Sequence, residues 1–275
     1  MSIITGKKDD VFLEFKELDS LKTRIALSKF VIEDALLVKR AVADGLAVEK
    51  IIYTERFLSG NDSDGVSGKD VLKDAKTNGI DCYKISDGLL GAVTATRPIP
   101  LVLASVRNLF YDEIDEIPTN NCNNCRALLV IDSVANPDNL GMILRTADAS
   151  GIDGVAIIGN GAGSYHKNCI RAARGAVGRL PILVGASDNE ILTKIKEKGF
   201  TVIGTSAEAS DNIYEITYDK PVAFVVGNES NGIRQNILNQ CDKTVSIPML
   251  PGRDSLSVGV AAGILIYEWV RNQQN

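Results

Sequence analysis

At 275 residues, 45% hydrophobic and 24% charged, the chain has the make-up of a globular protein with room for one large or two modest domains. Its net charge is −5, with 16 Lys and Arg against 20 Asp and Glu over residues 1–125 and 14 against 15 beyond, which excludes a basic nucleic-acid-binding domain in either half; any RNA contact has to come from a local patch. Five cysteines, an odd number, argue against a disulfide framework, and the absence of an apolar N-terminal core or a bilayer-length apolar run sets the expectation of a cytoplasmic protein with no membrane partner.

Residues 1–20, of mixed charge, predict a short helix. Residues 27–43 read as a second helix with Phe30, Ala35, Leu36, Leu37 and Val42 inward. A strand is expected at 51–53, and SGNDSDGVSG at 59–68 is a loop by composition. Residues 71–78 predict a helix stopped by Gly79, followed by strands at 82–85 and 101–106. This alternation gives a small α/β domain over residues 1–110. Residues 111–126 are acidic and Asn-rich and read as a linker. Cys122 and Cys125 form a CxxC there, but without a second pair or histidines at ligand spacing no metal site is expected.

From residue 127 the pattern becomes regular. Strands are expected at 127–132, 154–158, 181–184, 201–204, 222–226 and 245–247, with helices at 139–150, 168–176 and 189–198 between them. A last helix starts at Ser255, capped by Asp254 or Ser255, with Val258, Ala261, Ala262 and Leu265 at helical spacing. Near-continuous apolar strands alternating with helices define an α/β fold with a mostly parallel sheet covered on both faces, and ligands in such sheets sit at the carboxyl ends of the strands.

Three turns fall at those ends. The first, DSVANPDNLGMILR, has Pro137 and Asn139 suited to a turn and helix start, Gly141 for close backbone approach, and Arg145 downstream. The second, VVGNESNG, brackets Glu229 between Gly227 and Gly232, and the third is SIPMLPGRDSLSVGVA. No GxGxxG follows the first strand, so the pyrophosphate site of a dinucleotide-binding oxidoreductase is missing.

In this order the three turns resemble the motifs of the SpoU (TrmH-like) branch of the SPOUT RNA methyltransferases, over NPDNLGMILRTADASG, FVVGNESNGI and SIPMLPGRDSLSVGVA. The likeness spans residues 127–275 as the methyltransferase domain. More loosely, residues 1–110 resemble the small substrate-binding α/β domain that many members carry ahead of it. The resemblance implies a C-terminal trefoil knot, S-adenosyl-L-methionine as cofactor, 2'-O-ribose methylation of RNA with ribosomal RNA favoured, and a homodimer. A tRNA enzyme and a non-catalytic RNA-binding member of the family are the alternatives.

Carried onto this chain, the family motifs assign cofactor contacts to Gly227, Ile247 and Leu256, with Gly232, Met249, Thr205 and Ser257 as further lining, and polar catalytic positions to Asn139, Arg145, Glu229 and Ser255. Arg145 is the key residue, and because guanidinium does not lose its proton its expected task is to hold the ribose and stabilise a developing alkoxide. The last motif departs from the family's Ser-Leu-Asn, with Ser257 in place of the asparagine. For RNA, Lys167, Arg171 and Arg174 recur at spacings of four and three, with Arg179 beyond; a solvated helix face is the plain alternative. His166, the single histidine, lies just before this stripe and suits solvent or RNA better than metal. Gly259, Ala262, Gly263 and Ile266 offer a small apolar face for a subunit contact.

Overall fold

The structure, a computed structural model, describes residues 2–60, 65–107, 110–111, 113–118, 126–183, 187–218, 221–253 and 255–273. Asp254, Cys122, Cys125 and part of the 59–68 loop lie outside the described residues. The chain divides into two units, residues 1–108 and 109–275.

The first unit runs β1 (Ser2–Ile3), α1 (Asp10–Glu17), α2 (Leu21–Leu27), β2 (Lys29–Ile32), α3 (Ala35–Ala43), β3 (Val48–Tyr53), α4 (Glu55–Ser59), α5 (Gly68–Thr77), β4 (Asp81–Lys84), α6 (Asp87–Val93) and β5 (Val102–Arg107). Its sheet has the order β1-β4-β3-β5-β2, with β5 antiparallel to both neighbours and the other pairs parallel. The stretch 27–43 is not one helix. Ser28 turns left-handed at φ 50 and ends α2, Phe30 and Ile32 bury alternately with Lys29 and Val31 as β2, and Asp34 then caps α3 by accepting from the Leu37 amide at 2.9 Å. A four-residue period-2 segment was hidden inside an apolar run that also fits a helix. Phe30, Ala35, Leu37 and Val42 are buried as expected, while Leu36 is half-buried.

The second unit runs β6 (Phe110–Tyr111), β7 (Ala127–Asp132), α7 (Pro137–Ser150), β8 (Gly154–Ile158), α8 (Lys167–Ala173), β9 (Ile182–Leu183), α9 (Asp188–Glu197), β10 (Thr201–Thr205), β11 (Asp211–Asn212), β12 (Val222–Val226), α10 (Gln235–Leu238), β13 (Lys243–Ser246) and α11 (Val258–Gln273). The eight strands lie in the order β11-β13-β10-β12-β7-β8-β9-β6, every neighbouring pair parallel. Leu128, Val130, Val202, Ala223 and Val225 pack on one face against Ile191, Leu192 and Ile195 of α9. Leu129, Ile131 and Phe224 point the other way by strand alternation and are also fully buried, so both faces are covered.

The acidic segment read as a linker is in part structural. Ile114 and Ile117 are buried in the core of the second unit, and Arg126 donates to their carbonyls at 3.3 and 3.4 Å while its guanidinium lies 5.7 Å from the Phe200 ring. Two isoleucines, each worth about 1.5–3 kcal/mol when fully buried, outweigh the acidic composition around them. The acids themselves stay outward, where Glu113 accepts from Lys194 at 3.0 Å and Asp115 pairs with Lys198.

Candidate active site

Because every pair is parallel, β7, β10, β12 and β13 all end at one edge of the sheet. The loops after β10, β12 and β13, with the start of α11, enclose a cleft of about 450 Å³, within the ~300–1,000 Å³ typical of small-molecule sites. Thr205, Gly227, Gly232, Ile247, Met249 and Leu256 line it, as do Glu229 and Ser255.

The loop after β12 owes its shape to its glycines. A Cβ at Gly227 would lie 2.2 Å from both the Gly232 carbonyl carbon and the Ile233 nitrogen, and Gly232 sits at φ +68, so the chain folds back on itself in a way only glycine allows. Asn228 and Gly232 exchange backbone hydrogen bonds at 2.9 Å in both directions, and the Asn228 Oδ1 accepts from the Ser230 and Asn231 amides at 2.9 and 3.1 Å. That Asx-type turn projects Glu229 toward β7.

Glu229 meets the start of α7. Its carboxylate accepts from the amides of Ala135 and Asn136 at 3.1 and 3.2 Å and from the side-chain amide of Asn139 at 2.9 Å. Burial alone would raise this carboxyl, but the hydrogen bonds from Asn139, from its own backbone and from Ala135 and Asn136 outweigh it and hold the pKa below the usual carboxylate value. Asn136 caps α7 by accepting from the Asp138 and Asn139 amides at 2.8 and 3.4 Å, with Pro137 at the first helical position. The helix therefore begins two residues earlier than the sequence pattern suggests, and Arg145 lies in its third turn.

Arg145 stands apart from this cluster. Six residues from Asn139 is a rotation of about 120° around a helix, and Arg145 neither lines the cleft nor bonds to any described residue; its side chain is exposed. Gly141, one turn before it, serves helix packing: a Cβ there would lie 2.5 Å from the Cys169 carbonyl oxygen and 2.6 Å from the Ala172 Cβ of α8.

Ser257 does not line the cleft. Its hydroxyl accepts from the Val260 amide at 3.4 Å and its carbonyl from the Ala261 amide at 3.0 Å, so it caps α11, which begins at Val258 and not at Ser255. Of the apolar face expected for a subunit contact, Ala262 and Ile266 are fully buried within this unit, while α11 exposes Val260 and Tyr267, 51% and 50% accessible, and α7 exposes Met142 at 46%.

The basic stripe is broken up. Helix α8 ends at Ala173, and Arg174 caps it in the left-handed region at φ 52, so it leaves the face shared by Lys167 and Arg171. Arg171 donates to Asp138 at 3.2 Å, and Arg179, only 30% exposed, grips Asp148 through Nε at 3.1 and 3.0 Å and Nη2 at 2.5 Å. His166 caps α8, its Nδ1 accepting from the Asn168 amide at 3.3 Å.

Two features escaped the sequence. Asn228 also donates to the Ser133 carbonyl at 2.9 Å, tying the two motif loops together. Behind them, the fully buried Asp132 accepts from the Arg234 backbone and Nε at 2.8 and 2.7 Å, and Arg234 Nη2 reaches Asp188 at 2.7 Å. The available hint was an aspartate closing an otherwise apolar strand, which needs a cation once buried.

A parallel sheet with a glycine-shaped cleft at its carboxyl edge defines an α/β ligand-binding protein of the kind that takes a small cofactor there. Residues 126–267 match the SpoU rRNA Methylase family, and the chain belongs to that family. It is similar to the 23S rRNA (guanosine(2553)-2'-O)-methyltransferase RlmP of Bacillus subtilis (strain 168), 29% identical over 267 residues that cover 97% of this chain and 98% of the relative. Its fold superposes on the crystal structure of an RNA 2'-O ribose methyltransferase with a TM-score of 0.74 at 27% identity, covering 99% of this chain and 100% of the other. An AdoMet-bound rRNA methyltransferase from Sinorhizobium meliloti shares the fold at TM-score 0.80 and 22% identity, with 100% and 98% covered.

Proposed function

We propose that this chain is an S-adenosylmethionine-dependent methyltransferase that modifies a ribose 2'-hydroxyl of RNA, ribosomal RNA in the first place. The single observation that carries the reading is that the second and third family motifs line one cleft while the first is hydrogen-bonded to it through Glu229. The cleft fits the cofactor: its volume suits a nucleoside-sized molecule, and Thr205, Gly227, Ile247 and Leu256 bring backbone and small side chains close enough to grip a planar base. Met249 and Gly232 add to the lining, and Glu208 and Glu229 are anionic residues beside a ligand that carries positive charge. S-adenosylmethionine, when bound, supplies a methyl group activated by its sulfonium.

The chain's own residues then have separate tasks. Asn139 and Glu229 lock α7 to the cofactor loop, and Ser255 offers a hydroxyl at the cleft wall. Arg145 holds the ribose and adjoining phosphate and stabilises negative charge developing on the 2'-oxygen, a task for a guanidinium that keeps its proton. Since Arg145 is exposed and does not line the cleft of its own chain, we read the active form as a homodimer in which Arg145 of one protomer serves the cleft of its partner. Exposed Met142, three residues before Arg145 on α7, and exposed Val260 and Tyr267 on α11 are the apolar surface such a contact would cover. The family's trefoil knot belongs to this reading, as do an RNA-binding role for residues 1–110 and a cytoplasmic location; among the described residues no helix is long and apolar enough to cross a membrane.

Mapping ribose methylation across total RNA from cells with and without the gene tests the proposal. One ribosomal 2'-O-methyl group that disappears with the gene is the expected result. A lost tRNA methylation would move the substrate, and an unchanged map would remove the activity.

A further inference from the structure

Helix α5 buries Gly68, Val71, Leu72 and Ala75 against the first unit. At about 100° per residue, Lys69, Lys73 and Lys76 share one flank of what remains, and Asp70 and Asp74 share the other. All five are exposed, and none of the three lysines bonds or pairs with any described residue. Elsewhere in the unit Lys29, Lys50, Lys84 and Arg107 are held by glutamates. The like-charge pairs Lys69–Lys73 and Asp70–Asp74 each weaken the helix, offset by Asp70 in its first turn, Lys76 in its last and the opposite-charge pair Asp70–Lys73. Helix α3 lies alongside, tied by a 3.3 Å bond from the Asn78 side chain to the Val42 carbonyl, and carries the exposed Lys39 and Arg40. In a chain of net charge −5 the flank of Lys69, Lys73 and Lys76 is a local cationic strip of the kind that binding to nucleic acid requires.

We propose that the Lys69–Lys73–Lys76 flank of α5 binds the phosphate backbone of the RNA substrate, an inference that rests on the RNA methyltransferase reading above. At 1.5 Å per residue the stripe is about 10 Å long, which spans roughly three phosphates of one strand. The contact carries no base information; it sets position and orientation. It stands beside the RNA-binding role that the sequence suggested for Lys167, Arg171, Arg174 and Arg179, of which Arg171 and Arg179 pair with Asp138 and Asp148.

The test is binding of labelled, deproteinised total ribosomal RNA to the full chain between 50 and 200 mM KCl. The triple variant Lys69→Gln, Lys73→Gln, Lys76→Gln is compared with a triple arginine variant at the same positions and with a control, Lys7→Gln, Lys8→Gln, Lys22→Gln, which removes equal charge from exposed sites in the same unit. Three phosphate contacts set a slope of log affinity against log salt steeper by about 2.1–2.7, so wild type should lose about 20–40-fold more affinity over this range than the glutamine stripe variant. The arginine variant and the control should keep the wild-type slope. A wild-type slope in the glutamine stripe variant, or an equal loss in the control, overturns the stripe alone. Failure of the wild-type chain to bind RNA at all overturns both the stripe and the function on which it rests.

Discussion

The side-chain amide of Asn139 donates to the carboxylate of Glu229 across 2.9 Å, joining two residues 90 positions apart in the chain. With the amides of Ala135 and Asn136 on the same carboxylate, this contact fixes the loop after β12 to the start of α7. Both sides of the candidate chemistry thus depend on one ionised glutamate.

That dependence has a pH signature. The folded-state pKa of Glu229 lies below its unfolded value, so between the two the unfolded chain binds more protons and stability rises with pH. The contribution is fully present above about pH 4.5, the ordinary glutamate range, and fades as pH falls through the folded value. Melting temperatures from pH 6 down to 3 should therefore fall more steeply for wild type than for Glu229→Gln. Parallel curves would mean that the carboxylate gains nothing from its donors.

Ser257 is a helix cap, and substitutions there should follow capping chemistry. Ser257→Asn should leave stability within about 0.5 kcal/mol, and Ser257→Ala should cost about 0.5–2 kcal/mol. Urea unfolding of the two variants measures both. The departure from the family's asparagine is then an exchange of one good cap for another, with activity retained. An Ala variant as stable as wild type would leave the cap without weight.

Arg179 should behave as a structural residue. Arg179→Ala breaks a two-pronged contact with Asp148 and should lower stability by about 1–3 kcal/mol, while RNA affinity in filter binding stays within twofold. A stable variant with weakened RNA binding would return Arg179 to the substrate surface.

How much of this was legible beforehand differs by level. The parallel sheet of the second unit was readable because β7, β8 and β12 are short apolar runs closed by turns, and six of the assigned cofactor positions do line one cleft. The side-chain geometry was not. Residues 27–43 contain both periods, and only packing chooses between them. The spacing of Lys167, Arg171 and Arg174 implies a shared face only if the helix continues, and it stops at Ala173. Nor could spacing along one helix show that Ala262 and Ile266 are consumed by their own core, or that Asp138 and Asp148 neutralise two of the arginines. Those facts depend on which element lies opposite, which a single chain read in order does not give.

Gly227 offers a sharp test of the cleft. A Cβ there meets backbone at 2.2 Å, where nothing flexible can move aside, so Gly227→Ala should weaken S-adenosylmethionine binding by tenfold or more in calorimetry. An unchanged affinity would place the cofactor elsewhere.

The most direct measurement is single-turnover transfer of a labelled methyl group from S-adenosylmethionine to unmethylated ribosomal RNA, with the product nucleoside identified, for wild type and Arg145→Ala. The account predicts a 2'-O-methylnucleoside with wild type, a rate about 10²–10³ lower for the variant, and cofactor affinity within a few-fold between the two. A variant that transfers at the wild-type rate, or a methyl group found on a base, would contradict it.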